Sequence, residues 1–312
     1  MALRANAEVI VVGAGPGGLT AALYLARYRR DVLVVHDGKS RALRIPKTHN
    51  APGFPEGIQG PELIDRMTRH ATEFGARIEE AEITKIERTA NGFRLCAHDG
   101  RTLESRAVIL ATGVFLNQLD LSPEAHEAAI EAGVLRYCPV CDGYEHSSAR
   151  IGVIGCDSDG AAEALFLRQY SDDITLMPLS HPELSKAQVA EMVDAGIKVE
   201  KGALSALDPH QDRMDVRLES RDAPLSFDVV YPALGCRPRA ELAAQLGVKL
   251  EAEGCVPAAA VKESGVPSFF AAGDVVEGLD QISVAMGHGA MAATKAHNWL
   301  REEDRHTLQA DT

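Results

Sequence analysis

The sequence contains no apolar run near the ~18 residues that a membrane-spanning helix needs. It also lacks a leader pattern, because residues 1–7 run directly into an apolar stretch that a glycine cluster ends. An excess of basic charge is missing too, since the formal net charge is −13. That acidity argues against nucleic acids and anionic membranes, which select basic surfaces. We therefore predict a cytoplasmic protein with no membrane and no nucleic-acid partner.

Only two of the six cysteines lie close together in the chain. Cys138 and Cys141 form a C-x-x-C motif, and Asp142 follows directly. A structural zinc site needs four ligands, but no second C-x-x-C or paired histidine accompanies this motif. The motif therefore favours a redox pair, with Pro139 at a helix start where free N–H groups lower a thiol's pKa. The remaining cysteines stand singly: Cys96, Cys156, Cys236 and Cys255.

A glycine-rich loop near the start carries the second motif. Residues 9–12 predict a buried strand, residues 13–18 match G-x-G-x-x-G, and a helical pattern and another strand follow. This order is typical of a dinucleotide-binding unit, in which the glycines let a pyrophosphate approach backbone N–H groups. An acidic residue at the second strand is expected to hold a ribose hydroxyl. Asp37 fits that role, and His36 is the alternative.

The next part of the chain predicts elements that connect two such units. A helix is expected from Pro61 to Gly75, and residues 83–110 predict a β-meander with turns at 91–92 and 99–100. Its last strand ends in Thr112 and Gly113, at the sheet edge where ligands bind. A further helix is expected to begin at Ser122 and to stop at Gly133.

A second strand, glycine loop, helix and strand follow over residues 151–176. Asp157 stands where the fingerprint has its middle glycine, which brings a negative side chain toward the pyrophosphate position. Residues 177–182 contain no arginine pair for a 2′-phosphate. Strands at 228–234 and 268–272 and a helix at 281–300 follow, and this order places residues after about 247 back in the first domain.

These landmarks, taken in order, resemble the low-molecular-weight thioredoxin reductases and their flavoprotein relatives over nearly the whole chain. The resemblance implies an α/β fold of two Rossmann-like (FAD/NAD(P)-binding, three-layer) domains, the second inserted in the first. The FAD-binding domain would comprise residues 1–116 and 248–312, and residues 117–247 would form a pyridine-nucleotide-type domain that carries the C-x-x-C. The matching segments are residues 13–18, 50–54, 111–113, 138–143 and 271–274 and the helix from Gln281.

The resemblance also implies roles for residues around bound FAD. The glycine loop would cradle the pyrophosphate, and Asn50 would lie near the isoalloxazine. Thr112 and Gly113 would line the site, Asp274 would hold the ribityl and phosphate region, and the residues at 281–282 would meet the flavin ring. The implied cofactor-binding residues are Gly13, Gly15, Pro16, Gly18, Asp37, Asn50, Thr112, Gly113, Gly273, Asp274, Gln281 and Ile282.

For the chemistry, the resemblance implies that Cys141 faces the flavin and that Cys138 attacks the substrate disulfide. Asp142 would serve as acid and base for the thiols, which requires a pKa raised by partial burial. The alternative for Asp142 is a carboxylate that stabilises a helix N-terminus. His288 stands where gliotoxin-type dithiol oxidases carry an acid/base residue, and its alternative is a capping or interface histidine.

We therefore predict an FAD-dependent dithiol/disulfide oxidoreductase that does not use NADPH efficiently. Ferredoxin, or a dithiol together with oxygen, would be the electron partner. The substrate would be a thioredoxin-like protein or a small-molecule dithiol or disulfide. The alternatives are an NADPH-dependent thioredoxin reductase and an FAD-containing redox sensor, and the positioned Asp142 argues against the sensor. The resemblance also implies a homodimer.

Overall fold

A computed structural model of the chain describes residues 5–155, 157–180 and 184–307. Cys156, His181 and Pro182, which enter the sequence predictions, lie outside these ranges. Within them, no helix combines the length and the apolar character that crossing a membrane requires.

The larger layer of the fold is a seven-stranded sheet in the order β3-β2-β1-β6-β5-β4, with β16 paired to β6. Strands β1, β2, β3, β6 and β16 run parallel where they pair, whereas β4, β5 and β6 form the antiparallel meander that the sequence predicted. The strands are β1 (Ala5–Val12), β2 (Val32–His36), β3 (Arg77–Glu80), β4 (Ile83–Thr89), β5 (Gly92–Ala97), β6 (Thr102–Leu110) and β16 (Phe269–Ala271).

Helices cover this sheet because their apolar residues recur at helical spacing and face it. Helix α1 follows the glycine loop, and α8 packs beside α1 over the same buried cluster. Within that cluster both helices contribute buried alanines, such as Ala22 and Ala292, whose small side chains let the helices pack close to the sheet. The helices are α1 (Pro16–Arg27), α2 (Gly60–Glu73) and α8 (Ile282–Glu303), with 3-10 helices at Arg41–Arg44 and Ala258–Val261.

The middle of the chain builds a second, smaller set of sheets. A four-stranded parallel sheet has the order β10-β9-β8-β14, and a three-stranded sheet has the order β11-β12-β13. Helix α3 begins and ends where the sequence predicted, because Ser122 accepts a hydrogen bond from the Ala125 N–H and Gly133 closes it in the left-handed conformation. The elements are α3 (Pro123–Ala132), α4 (Pro139–Asp142), β8 (Ile151–Ile154), α5 (Ser158–Leu167), β9 (Ile174–Met177), α6 (Lys186–Asp194), β10 (Lys198–Val199), β11 (Leu204–Pro209), β12 (Met214–Leu218), β13 (Leu225–Phe227) and β14 (Val229–Pro232).

Two chain crossings join the two sets of sheets. Strand β7 (Val114–Leu116) pairs antiparallel with β15 (Cys236–Pro238), so the outgoing and returning segments run side by side. Helix α7 (Glu241–Gln245) then packs against the first sheet, where Leu242 and Ala243 belong to its core. The sequence patterns did not predict the strands β3, β7, β10 to β13 and β15 or the helices α6 and α7. The domain boundaries at residues 116 and 247 stay a prediction.

The contact between α1 and α8 depends on two glycines. A Cβ at Gly289 would lie 2.2 Å from the Gly17 carbonyl oxygen, and a Cβ at Gly17 would lie 3.1 Å from the Ala285 carbonyl oxygen. By contrast, a Cβ at Gly287, on the exposed side of the same helix, meets nothing within 4 Å. The two helices can therefore approach closely only where Gly17 faces Gly289.

This difference gives a matched pair of variants. Gly289→Ala should lower the free energy of unfolding by about 1–3 kcal/mol, because the helices must move apart. Gly287→Ala should raise it by about 0.5–1 kcal/mol, because alanine loses less backbone entropy in a helix. Urea unfolding midpoints with unchanged m-values would check both. Shifts of the same sign in the two variants would contradict the packing argument.

Candidate functional site

The redox pair lies at the amino end of a single helical turn. Cys138 is the N-cap of α4, Pro139 is its first residue, and the Cys141 N–H donates to the Cys138 carbonyl oxygen at 2.9 Å. A disulfide joins Cys138 to Cys141, with the two Cα atoms 5.2 Å apart. The helix start predicted at Pro139 is present, but α4 already ends at Asp142.

Gln281, the N-cap of α8, touches both sulfurs. Its Nε2 lies 3.4 Å from the Sγ atom of Cys138 and also 3.4 Å from that of Cys141. Its Oε1 accepts a hydrogen bond from Asn50 Nδ2 at 2.9 Å, and Asn50 Oδ1 accepts one from Thr48 Oγ1 at 2.8 Å. These contacts hold the disulfide against Gln281, at the start of α8, and against the loop that contains Thr48 and Asn50.

Asp142 has an environment suited to moving a proton. Tyr231 Oη donates to Asp142 Oδ1 at 2.7 Å, and Arg136 Nε lies 3.4 Å from Oδ2. Burial raises the pKa of Asp142 to about 6, although the Tyr231 hydroxyl and the Arg136 charge act in the opposite direction. The carboxyl group can therefore exchange a proton near neutral pH, beside the sulfur pair. Sequence reasoning missed Tyr231, whose only signal is a phenol inside a buried strand.

The first glycine loop forms a cradle at the amino end of α1. Gly13 has φ +113°, and a Cβ there would lie 2.2 Å from the Ala111 carbonyl oxygen. A Cβ at Gly18 would lie 1.9 Å from the Gly13 carbonyl oxygen, so helix and loop pack without side chains. The N-cap is Gly15, which offers no side-chain acceptor to the first turn. The N-terminal N–H groups of α1 thus face a cavity where an anionic group can be held.

Charged groups line the rest of this cavity. Arg41 Nη2 donates to Asp274 Oδ2 at 2.8 Å, and Arg239 Nη2 donates to Asp37 Oδ2 at 2.6 Å. Burial raises the pKa of Asp274, and the charges of Arg41 and His288 act against that shift. Burial would also raise the pKa of Asp37. The hydrogen bonds from Arg239 and from a backbone N–H outweigh this effect, so the Asp37 pKa lies below its ordinary value. Sequence reasoning missed Arg41 and Arg239, which form no motif.

The structure brings most of the implied cofactor residues into one continuous site. Gly18 lies beneath the glycine loop, whereas Asn50 and Gln281 stand at the disulfide, in a second cavity that adjoins the first. The bare N-cap, the close glycines and the acidic residues at the strand ends fit FAD. The first cavity is lined by Gly13, Gly15, Pro16, Asp37, Thr112, Gly113, Gly273, Asp274 and Ile282, and Ile282 also lines the second.

His288 lies apart from the sulfur pair. It belongs to α8, and among the described residues it does not line the cavity that contains Cys138 and Cys141. Its Nδ1 is buried and has no hydrogen-bond partner within the described part of the chain. His288 lies within electrostatic range of Asp274, and a positive charge on His288 would lower the Asp274 pKa.

The second glycine loop differs from the first at its N-cap. Asp157 is the N-cap of α5, and its carboxylate accepts a hydrogen bond from the Gly160 N–H at 2.8 Å. A Cβ at Gly160 would lie 1.5 Å from the Gly155 carbonyl oxygen, so the tight turn itself is kept. Glu163 lies close to Asp157 and Asp159. Burial, together with the negative charges of these two aspartates, raises the pKa of Glu163 to about 7. The loop thus keeps its turn, but the Gly160 N–H is already bonded to a carboxylate of the loop itself.

Comparison with known proteins agrees with this geometry. A family model described as pyridine nucleotide-disulphide oxidoreductase matches residues 7–289. A thioredoxin reductase of Mycolicibacterium smegmatis is 31% identical, covering 95% of this chain and 97% of that protein. A thioredoxin reductase of Listeria innocua serovar 6a is 29% identical, covering 97% of both chains. The crystal structure of HlmI superposes with a TM-score of 0.89 at 28% identity, covering 98% of this chain and 96% of that one.

The buried Asp142 carboxyl predicts a pH-dependent stability. Its pKa is about 6 in the folded chain against an ordinary value of 3.8. Between these values the folded state binds more protons than the unfolded state, so the free energy of unfolding falls as pH rises through this window. Asp142→Asn removes this loss. Relative to the wild type, the variant should gain about 1–3 kcal/mol between about pH 4 and about pH 7.5.

Urea unfolding of both proteins at the two pH values would measure this gain. Asp212→Asn is the control, because its side chain is 79% exposed and the change removes the same charge. A constant difference between Asp142→Asn and the wild type across the pH range would refute the buried, proton-exchanging carboxyl.

Proposed function

The chain belongs to the pyridine nucleotide-disulphide oxidoreductase family, and we propose that it exchanges electron pairs with a dithiol or disulfide substrate without efficient use of NADPH. Its relatives make it a thioredoxin reductase-like, flavin-dependent disulfide oxidoreductase. The proposal concerns the finer points: the roles of the two cysteines, the electron partner and the substrate.

The observation that carries the proposal is the Asp157 cap. A dinucleotide pyrophosphate needs the free N–H groups at a helix start, but the Asp157 carboxylate already accepts from the Gly160 N–H. Asp159, in the first turn of the same helix, adds a further negative charge. A displaced cap and the missing arginine contacts together cost a few kcal/mol, or about 100-fold or more in affinity. Residues 178–180, which follow β9, include no arginine.

The proposed sulfur chemistry gives the two cysteines different steps. In the reducing direction, the Cys138 thiolate attacks a substrate disulfide, and one substrate sulfur leaves as a thiol. Cys141 then attacks the mixed disulfide, so the second substrate sulfur leaves and the Cys138–Cys141 bond forms. Two electrons and two protons pass to the substrate, and the oxidising direction is the reverse. Bound FAD would supply the two-electron exchange that returns the pair to its starting state.

Asp142 would hold and deliver the proton in these steps. Its pKa of about 6 lets it give a proton to a leaving sulfur and take one from an incoming thiol. Gln281 would orient the pair, since its Nε2 contacts both sulfurs. We assign the FAD contacts to the residues of the glycine cradle and to Asp37, Asn50, Thr112, Asp274 and Ile282. His288 stays a proposed acid/base residue.

For the partners we infer a thioredoxin-like protein or a small-molecule dithiol or disulfide as substrate. Ferredoxin or oxygen would stand in place of NADPH as electron partner, and the protein would act as a homodimer. The relatives' names support the disulfide substrate, because they are thioredoxin reductases.

Anaerobic bleaching of the purified yellow protein tests the proposal. Dithiothreitol should bleach the flavin rapidly, and NADPH should do so about 100-fold more slowly or not at all. Asp157→Gly should bind NADPH about tenfold more tightly than the wild type, because it removes the competing carboxylate. Ser185→Gly, which removes the N-cap side chain of α6, is the matched control and should leave the affinity for NADPH unchanged.

Rapid bleaching of the wild type by NADPH would show that the altered loop still binds the nucleotide, and the protein would then be an ordinary NADPH-dependent reductase. Recolouring on admission of air after dithiol bleaching would identify oxygen as the acceptor.

A further inference from the structure

Three side chains with no role so far form a chain of contacts that runs through the buried His126 and ends at Tyr137, the residue before Cys138. Arg44 Nη2 lies 2.8 Å from His126 Nδ1, and His126 Nε2 lies 2.6 Å from Tyr137 Oη. His126 is only 2% exposed. Arg44 also donates to Glu127 Oε1 at 2.6 Å, which fixes the guanidinium over α3. The contacts run from the 3-10 helix Arg41–Arg44, through α3, to the residue before the redox pair.

These contacts determine the tautomer of His126. A guanidinium donates hydrogen bonds and cannot accept them, so Nδ1 must be the acceptor from Arg44. Burial, followed by the Arg44 charge, holds the pKa of His126 below its ordinary value, so the ring is neutral near pH 7. The single ring hydrogen is therefore on Nε2, and it is donated to Tyr137 Oη.

Tyr137 consequently keeps its own hydrogen for another partner. A phenol has one O–H to donate. Its oxygen accepts from His126 and is also hydrogen-bonded by the Leu119 backbone, which lowers the pKa as a donor does, so within the described ranges no acceptor is found for the hydroxyl hydrogen. Burial raises the pKa of Tyr137 to about 12, so the hydroxyl remains a donor at any working pH. Tyr137 lines the cavity beside the disulfide together with Cys138.

That cavity, which the flavin ring would share at Asn50, Gln281 and Ile282, offers apolar walls and donors without partners. Leu116, Ile130 and Leu135 supply apolar surface, and the Arg44 Nε–H is buried without a partner in the described part of the chain. Donors without partners call for a ligand rich in acceptors. A carbonyl oxygen close to the reacting sulfur meets this need, and such an oxygen occurs in any amide built on cysteine.

We propose that Tyr137 is a substrate-binding residue that donates a hydrogen bond to a carbonyl oxygen next to the substrate's sulfur. Arg44 and His126 are positioning residues that orient the Tyr137 hydroxyl through the histidine tautomer. This assignment rests on the proposed function, because it concerns the substrate of the same sulfur pair. It narrows the substrate to an amide-bearing dithiol or disulfide, supplied by a short peptide-like molecule or by a protein.

The test compares dithiols with and without a carbonyl group. The holoprotein is bleached anaerobically with a reduced blocked dicysteine peptide, with a reduced thioredoxin-fold protein and with butane dithiol. Tyr137→Phe should lower kcat/KM about tenfold for an amide-bearing dithiol and leave butane dithiol within about twofold. Tyr170→Phe is the control, because this tyrosine packs under α4 and does not line the cavity.

A double-mutant cycle separates positioning from direct binding. Arg44→Met should lower the peptide's selectivity over butane dithiol about fivefold in the wild type, but less than about twofold when Tyr137 is already Phe. Additive losses would mean that Arg44 contacts the substrate directly, and they would overturn its positioning role.

The remaining outcomes decide the assignment itself. A selective loss with the peptide or with the protein supports it, and the substrate that shows the loss identifies the source of the carbonyl group. Equal losses with all three dithiols, or a shifted flavin spectrum without selectivity, would overturn it in favour of a structural or flavin contact. A wild type that no dithiol bleaches would overturn the proposed function and this assignment with it.

Discussion

The contact of one amide with two sulfurs ties the two halves of the molecule together. Gln281 Nε2 lies 3.4 Å from each sulfur of the pair, and Asn50 holds its Oε1. Gln281 is the N-cap of α8, a helix that packs on the first sheet. Its contact therefore fixes the position of α4, the turn with the redox pair, relative to that sheet. The paired strands β7 and β15 leave the inserted part attached by only two segments. The Gln281 contact is joined by the Asn50 side chain, which lies 3.4 Å from the Val140 carbonyl oxygen, and by the Arg44 contacts to α3.

The two glycine loops show how one backbone serves two purposes. Both loops keep the first and last glycines in close contact, at Gly13 with Gly18 and at Gly155 with Gly160. They differ in the N-cap, which is bare at Gly15 and a carboxylate at Asp157. A self-capped helix gains stability from its own side chain, and under the proposed function this cap weakens the binding of an external anion. The second unit therefore keeps its structural role as the carrier of the redox pair.

The sequence predicted the local features well because they depend on neighbouring residues. The meander of β4 to β6, the caps of α3 and both glycine turns follow from patterns within a few positions. The groups that set the site's electrostatics lie far apart in the chain. Tyr231 and Asp142 are 89 residues apart, and Arg41 and Asp274 are 233 apart. No period or spacing links such pairs, so only the folded chain could reveal them. The acid/base role proposed for Asp142 comes from the family resemblance, whereas its phenol and guanidinium partners appear only in the folded chain.

Two titratable groups beside the redox pair, Asp142 and Tyr137, differ in whether they release their hydrogen near neutral pH. Burial brings the pKa of Asp142 to about 6, so this group can gain or lose a proton in each half-reaction. Burial moves the pKa of Tyr137 to about 12, so the hydroxyl keeps its hydrogen throughout. The same physical cause gives opposite behaviour, because the ordinary pKa of a carboxyl lies below neutrality and that of a phenol lies above it. The sulfur pair lies between Asp142, which can exchange its proton, and Tyr137, which keeps its hydrogen. A product thiol can therefore leave while the Tyr137 hydroxyl still donates to the carbonyl group of the substrate.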